Sequence, residues 1–189
     1  MESQDSKTKI VKETFPSEII SIIGSLLAGI ILSLLILPFK SFGILILIIP
    51  ALLSLRGNIS GPFIARTSKD LIIGEFNRRS WLENVFATYT LSVVTAIFIG
   101  LFSIILNLLL INLLVIQIPL LSFELYLLIP LISILITLTV SIPISTLLNY
   151  LAFHYGMDPN NVVNPIMTAI DDFITVISFF LTIVILGVP

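Results

Sequence analysis

Cysteine is absent from this 189-residue chain, and histidine occurs once. The first absence excludes disulfides and thiolate metal sites, and it leaves the redox compartment undetermined. With a single imidazole available, zinc and copper lack their usual soft and nitrogen ligands. Charge is also scarce: 11% of residues are Asp, Glu, Lys or Arg, against roughly 25% in a soluble domain. The formal net charge of −2 says little about partners. No basic patch is interleaved with aromatics, so nucleic acid is not an expected partner. In place of charge stand apolar residues, 57% of the chain, with a mean hydropathy of +1.17. Several apolar runs exceed the roughly 18 residues that mark a membrane-crossing helix.

The hydropathy pattern predicts an all-α integral membrane protein with five transmembrane helices, multi-pass in the cell (plasma) membrane, its lipid bilayer a partner in the fold. Residues 1–17 read as a mobile, water-exposed cytoplasmic tail, and 18–189 as one five-helix domain. The first apolar run lacks a small-x-small cleavage signal and reads as an anchor. Spans are expected near 18–38, from 42 onward, 84–116, 121–150 and 163–187, with a tight connection at Pro38, Phe39, Lys40 and Ser41. The apolar part of span two, "GILILIIPALLSL", is only about 13 residues long and too short to cross. The crossing must therefore include "RGNISGP", whose Gly57, Gly61 and Pro62 are weak helix formers. Helix 2 is expected to be broken near Gly57-Asn58. Residues 66–84 read as a solvated charged loop, with room for a short surface helix.

Five spans put the termini on opposite sides. Lys7, Lys9, Lys12, Arg66, Lys69, Arg78 and Arg79 fall on one side and Lys40 on the other. The positive-inside rule then places the N-terminus in the cytoplasm and the C-terminus outside.

Polar residues recur along the later spans at helical spacing. Asn161, Pro165, Thr168, Asp172 and Thr175 share one face of span five, flanked by Asn164, Asp171 and Ser178. Ser133, Thr137, Ser141, Ser145 and Asn149 form a second stripe, and Thr88, Ser92 and Thr95 a third. Helix packing through small residues and hydrogen bonds accounts for such stripes as readily as a wet path does. Two carboxylates in an apolar span are different. Each costs a few kcal/mol at depth unless it finds a cation, a partner or water. Asp171 and Asp172 are therefore either ligands or members of a salt bridge to Arg56, Arg66 or Lys69. His154, among turn residues, reads as an ordinary surface histidine.

Oxygen donors without thiolates suit Mg²⁺, Mn²⁺ or Ca²⁺. Mg²⁺ keeps most of its water and takes one or two carboxylates. The candidate metal ligands are Asp172, Thr168, Asn58 and Asp171. Gly57, Ser141, Thr175 and Pro165 are candidates to line the path. A two-fold partner would supply a second carboxylate to the ion, so a homodimer is expected.

Two segments carry a family resemblance. "PALLSLRGNISGPFIARTS" (50–68) resembles the second helix of the membrane domain of MgtE-type magnesium transporters and of the related solute carrier family 41: Pro-Ala-Leu-Leu, a basic residue, Gly-Asn, then Ala-x-Arg. "DPNNVVNPIMTAIDDF" (158–173) is similar to the family's fifth-helix stretch. The resemblance implies a divalent cation transporter or channel and not an enzyme, with Mg²⁺ as the transported ion (Mn²⁺ or Co²⁺ as variants) and no cofactor. It implies that Asp172 is the ion-coordinating aspartate, that Gly57 and Asn58 line the pore, and that Thr168 is the motif threonine. Asp171 stands where the family often has a small residue. The family's cytoplasmic sensor domains have no counterpart here beyond the short tail, which puts gating of that kind in doubt. Solute carrier family 41 chains hold two such units, so a single unit again implies a homodimer. The competing class is an intramembrane Mg²⁺-dependent enzyme acting on lipid or isoprenoid phosphates. Such an enzyme needs a second acidic motif, which this sequence does not have.

Overall fold

The computed structural model describes residues 7–34, 42–114 and 120–188, and all its regular elements are helices. In chain order they are α1 (Lys7–Leu34), α2 (Ile44–Ile73), α3 (Arg78–Leu114), α4 (Phe123–His154) and α5 (Pro159–Ile185). All five are long and apolar enough to cross a membrane. The protein is a multi-pass membrane protein, as its hydropathy pattern indicates.

Polar contacts between helix ends fix an up-and-down arrangement. Asn84 at the start of α3 donates to Thr67 near the end of α2, 3.2 Å away. Asn107 near the end of α3 donates to the Tyr126 hydroxyl near the start of α4. Ser133 in α4 donates to Thr182 near the end of α5 at 3.1 Å. Ser17 in α1 donates to the Asn161 carbonyl at the start of α5 at 3.2 Å, so α1 and α5 run parallel. One end of the bundle therefore gathers the starts of α1, α3 and α5 with the ends of α2 and α4. That end carries Lys7, Lys9, Lys12, Arg66, Lys69, Arg78 and Arg79. Lys40 and the expected connection at 38–41 lie outside the described residues.

Helix α5 is the hub. It packs on α1, α2 and α4, whereas among the described residues α1 packs on α5 alone. Toward the opposite end, Ile44, Leu45, Ile48 and Leu52 meet Tyr126, Ile129, Phe179 and Ile183. Leu55, Ile59 and Phe63 pack with Ala96, Ile134, Leu138 and Ile142 between α2, α3 and α4. In lipid this burial gains little hydrophobic free energy, so close van der Waals fit matters more. Gly24 and Gly100 supply it. A Cβ on Gly24 would meet the Ala169 Cβ at 2.4 Å, and one on Gly100 would meet the Tyr126 carbonyl oxygen at 2.5 Å. Because that second obstacle is backbone, Gly100→Ala should destabilise the fold by about 1–3 kcal/mol. Gly29 faces open space, so Gly29→Ala should be neutral or slightly stabilising. Thermal unfolding of the two variants in one detergent checks the contrast.

Three expectations are corrected. Helix α2 is continuous through Gly57, Asn58, Gly61 and Pro62 and is not broken there. In water these residues weaken a helix, but in hydrocarbon an unpaired peptide group costs several kcal/mol, and neighbouring helices hold the segment in register. The charged stretch 66–84 is not a loop: α2 runs to Ile73 and α3 starts at Arg78. Gly74, at φ 76°, closes α2. The Asn77 side chain accepts from the Arg79 and Ser80 amides at 2.9 and 3.0 Å and opens α3. Finally, residues 7–17 are helical and continuous with the first span. Glu13 ties them down, accepting from the Asp158 amide at 3.3 Å and the Asn161 side chain at 3.1 Å.

Candidate functional site

The two aspartates lie at the midpoint of α5, where a crossing helix is deepest. Being adjacent, they point about 100° apart, and the structure gives them different surroundings. Asp171 is 2% exposed and Asp172 is half-buried.

Asp171 faces the interior. The Arg56 Nη2 donates to its Oδ1 at 2.8 Å. Ser141 of α4 donates to the same oxygen, and Ser60 of α2 donates to Oδ2. Arg56 is itself 2% exposed. This is the salt bridge to Arg56 that the sequence left open, on the aspartate that the family resemblance does not single out. The Arg56 Nε and Nη1 have no hydrogen-bond partner among the described residues. A cavity of about 10 Å³ is lined by Arg56, Ser60, Thr88, Ser141 and Ser145 among others, close to the space one water occupies.

Asp172 faces a groove. Its Oδ2 accepts from Ser25 of α1 at 3.0 Å. The groove, about 290 Å³ in volume, lies between α2 and α5. From α2 come Leu53, Gly57, Ser60, Gly61 and Ile64, and from α5 Asn164, Met167, Thr168, Asp171 and Asp172. The glycines open it, since a Cβ at Gly57 or Gly61 would meet nothing within 4 Å. The space is far larger than a bare divalent ion needs and leaves room for several retained waters.

The structure thus brings Gly57, Thr168, Asp171 and Asp172 together. Asn58 is exposed at the flank of the groove and does not line it. Ser141 lies on the inner side, in the Arg56–Asp171 cluster. Thr175 is buried one turn further along α5, its hydroxyl without a partner among the described residues. Pro165 is half-buried and outside the groove lining. The α4 stripe Ser133, Thr137, Ser141, Ser145 and Asn149 is wholly buried, whereas in α3 Thr88 and Ser92 are buried and Thr95 is exposed. Sequence reasoning missed Ser60 and Ser25. Ser60 was within reach, being one helical turn beyond Arg56, but Ser25 depends on how α1 docks. His154 is exposed and stacks against Tyr150, ring centroids 6.2 Å apart. Among the described residues no group of three or more His, Cys, Asp or Glu side chains could hold a metal.

A five-crossing bundle with carboxylates and hydroxyls around a mid-depth groove belongs to the class of membrane proteins built to handle small cations. The chain is a member of the MgtE divalent cation transporter family: the family's sequence model matches residues 49–182, more than two thirds of its length. No curated protein and no solved structure matches the chain. The match spans most of α2 and nearly all of α5, so it contains both walls of the groove. The family is one of transporters, which argues against the enzymatic alternative. Ser25 lies before the matched region, so α1 adds a contact to Asp172 from outside it.

Proposed function

We propose that the protein moves Mg²⁺ across the cell membrane along the α2–α5 groove, with Asp172 as the main charged ligand and Thr168, Asn164 and Ser60 hydrogen-bonding the ion's water. The observation that carries this reading is Asp172 itself: half-buried at the midpoint of a crossing helix, held by one serine hydroxyl, and facing an open groove. A carboxylate in that position is tolerated only with a cation or water beside it. The groove floor is glycine where a side chain would fill it. Mg²⁺ fits best because the site offers few charged oxygens and much room, and Mg²⁺ sheds water reluctantly; Mn²⁺ and Co²⁺ are expected to compete. The basic end of the bundle faces the cytoplasm, because Lys and Arg are retained on that side.

The transporting unit is a homodimer. Thr168 and Gly57 line the groove with Asp172 and are exposed, and Asn58, next to Gly57, is exposed as well. Facing lipid, these polar groups would cost free energy, and among the described residues the groove of one chain is lined by a single carboxylate outside an ion pair. A two-fold partner laid over the groove removes both problems. Light scattering corrected for detergent should give twice the 20.9 kDa chain mass. A monomer with full transport activity would place the whole path within one chain.

Thiol labelling tests the groove, and the absence of native cysteine makes it clean. Gly61→Cys should react with a small water-soluble thiol reagent, and millimolar Mg²⁺ should slow the reaction several-fold. Complete protection without Mg²⁺ would mean that the groove is dry, and the path would have to run elsewhere.

A further inference from the structure

Arg56 is a permanent charge buried beside the groove but not among its lining residues. Asp171 stands between the two, lining the groove while both its oxygens are engaged from within. The contact to Arg56 runs through a single nitrogen, Nη2, and not through the two-pronged fork that makes arginine–carboxylate pairs strongest. Nε and Nη1 lack partners among the described residues, and Arg56 lines the small cavity together with Thr88 and Ser145. Unlike lysine, arginine does not release its proton in a protein interior.

We propose that Arg56 is a tethered counter-cation that sets how tightly the groove holds its cargo. It is a positioning residue. By occupying Asp171 from the interior side, it leaves a divalent ion in the groove with one free carboxylate per chain, Asp172. Transport requires a site strong enough to admit an ion and weak enough to release it. Two free adjacent carboxylates would retain a divalent ion; one carboxylate and a cancelled neighbour let it pass. Because the guanidinium is held end-on, it cancels the charge of Asp171 without closing the groove. This inference rests on the transport reading above and adds to it a determinant of affinity.

The test is a cycle of variants of the full chain in detergent, with Mg²⁺ affinity read from Mg²⁺-dependent thermal stabilisation. Arg56→Gln keeps a donor for Asp171 but removes the charge. It should bind Mg²⁺ at least about tenfold more tightly than wild type, by the Coulomb term of a full charge at short range, and carry less maximal flux in proteoliposomes. Asp171→Asn leaves Arg56 uncompensated and should weaken binding at least about tenfold by the same term. Adding Arg56→Gln to Asp171→Asn should then recover it. A purely structural arginine gives neither the tightening nor the recovery. The Arg56 effect is thus read on two backgrounds, so a folding failure on one leaves the other to decide. Unchanged or weaker Mg²⁺ binding on removal of Arg56, on whichever background folds, overturns the inference. Absence of any Mg²⁺ response in the wild-type chain would instead refute the transport reading.

Discussion

Asp172→Ala should abolish saturable divalent uptake while leaving the fold intact. Two features of the site give this expectation. The carboxylate makes one hydrogen bond, to an exposed serine of α1, so its removal strands no buried partner. Among the described residues it is also the only carboxylate lining the groove whose charge is not already cancelled by a buried arginine. Losing it removes the charge that offsets the desolvation of a divalent ion at mid-membrane. Asp172→Asn keeps the shape and hydrogen-bonding capacity without the charge, and it should fail equally. Uptake by either variant at the wild-type rate would remove Asp172 from the path. Both proteins should elute and unfold like wild type; a collapsed fold would mean that Asp172 is structural.

The neighbouring residue should behave in the opposite way. Asp171→Ala leaves Arg56 buried with its one carboxylate partner gone, and Arg56→Ala leaves Asp171 held by hydroxyls alone. Breaking a buried pair from one side typically costs about 3–5 kcal/mol, a large fraction of a marginal stability. Both variants should therefore show low yield and an early unfolding transition. Replacing the two together by uncharged residues should cost much less, because no uncompensated charge remains. The fraction of Asp171→Ala that folds should still take up Mg²⁺ saturably, with a raised half-saturation concentration. Adjacent aspartates are thus separable by assay, one through flux and one through stability. If Asp171→Ala is stable and transport-dead, the roles are reversed.

How much of this was legible in the sequence differs by feature. The number and order of the spans follow from apolar runs that have no soluble use. The α4 stripe was readable because its period matches the helix, and every member is buried. Helix ends were less accessible. Residues 7–17 and 66–84 look like loops by polarity, yet capping by Asn77 and the contacts of Glu13 keep them helical. The expected break at Gly57-Asn58 failed because helix propensities measured in water do not carry over to a medium where backbone hydrogen bonds have no competitor. The pairing of Arg56 with Asp171 was one of several combinations the sequence allowed. Choosing among them requires the rotation of α2 about its axis, which no single helix encodes. Ser25 was invisible for the same reason, since nothing in α1 alone shows which face meets α5.

The central claim is that this chain carries divalent cations across a bilayer. It is tested most directly by reconstituting the purified protein into liposomes loaded with a Mg²⁺ indicator and imposing an inward Mg²⁺ gradient. Saturable Mg²⁺ entry that scales with the amount of protein, is competed by Mn²⁺ or Co²⁺, and is lost with Asp172→Asn is the predicted result. Entry no faster than in protein-free liposomes, from a chain shown to be folded and inserted, would contradict it.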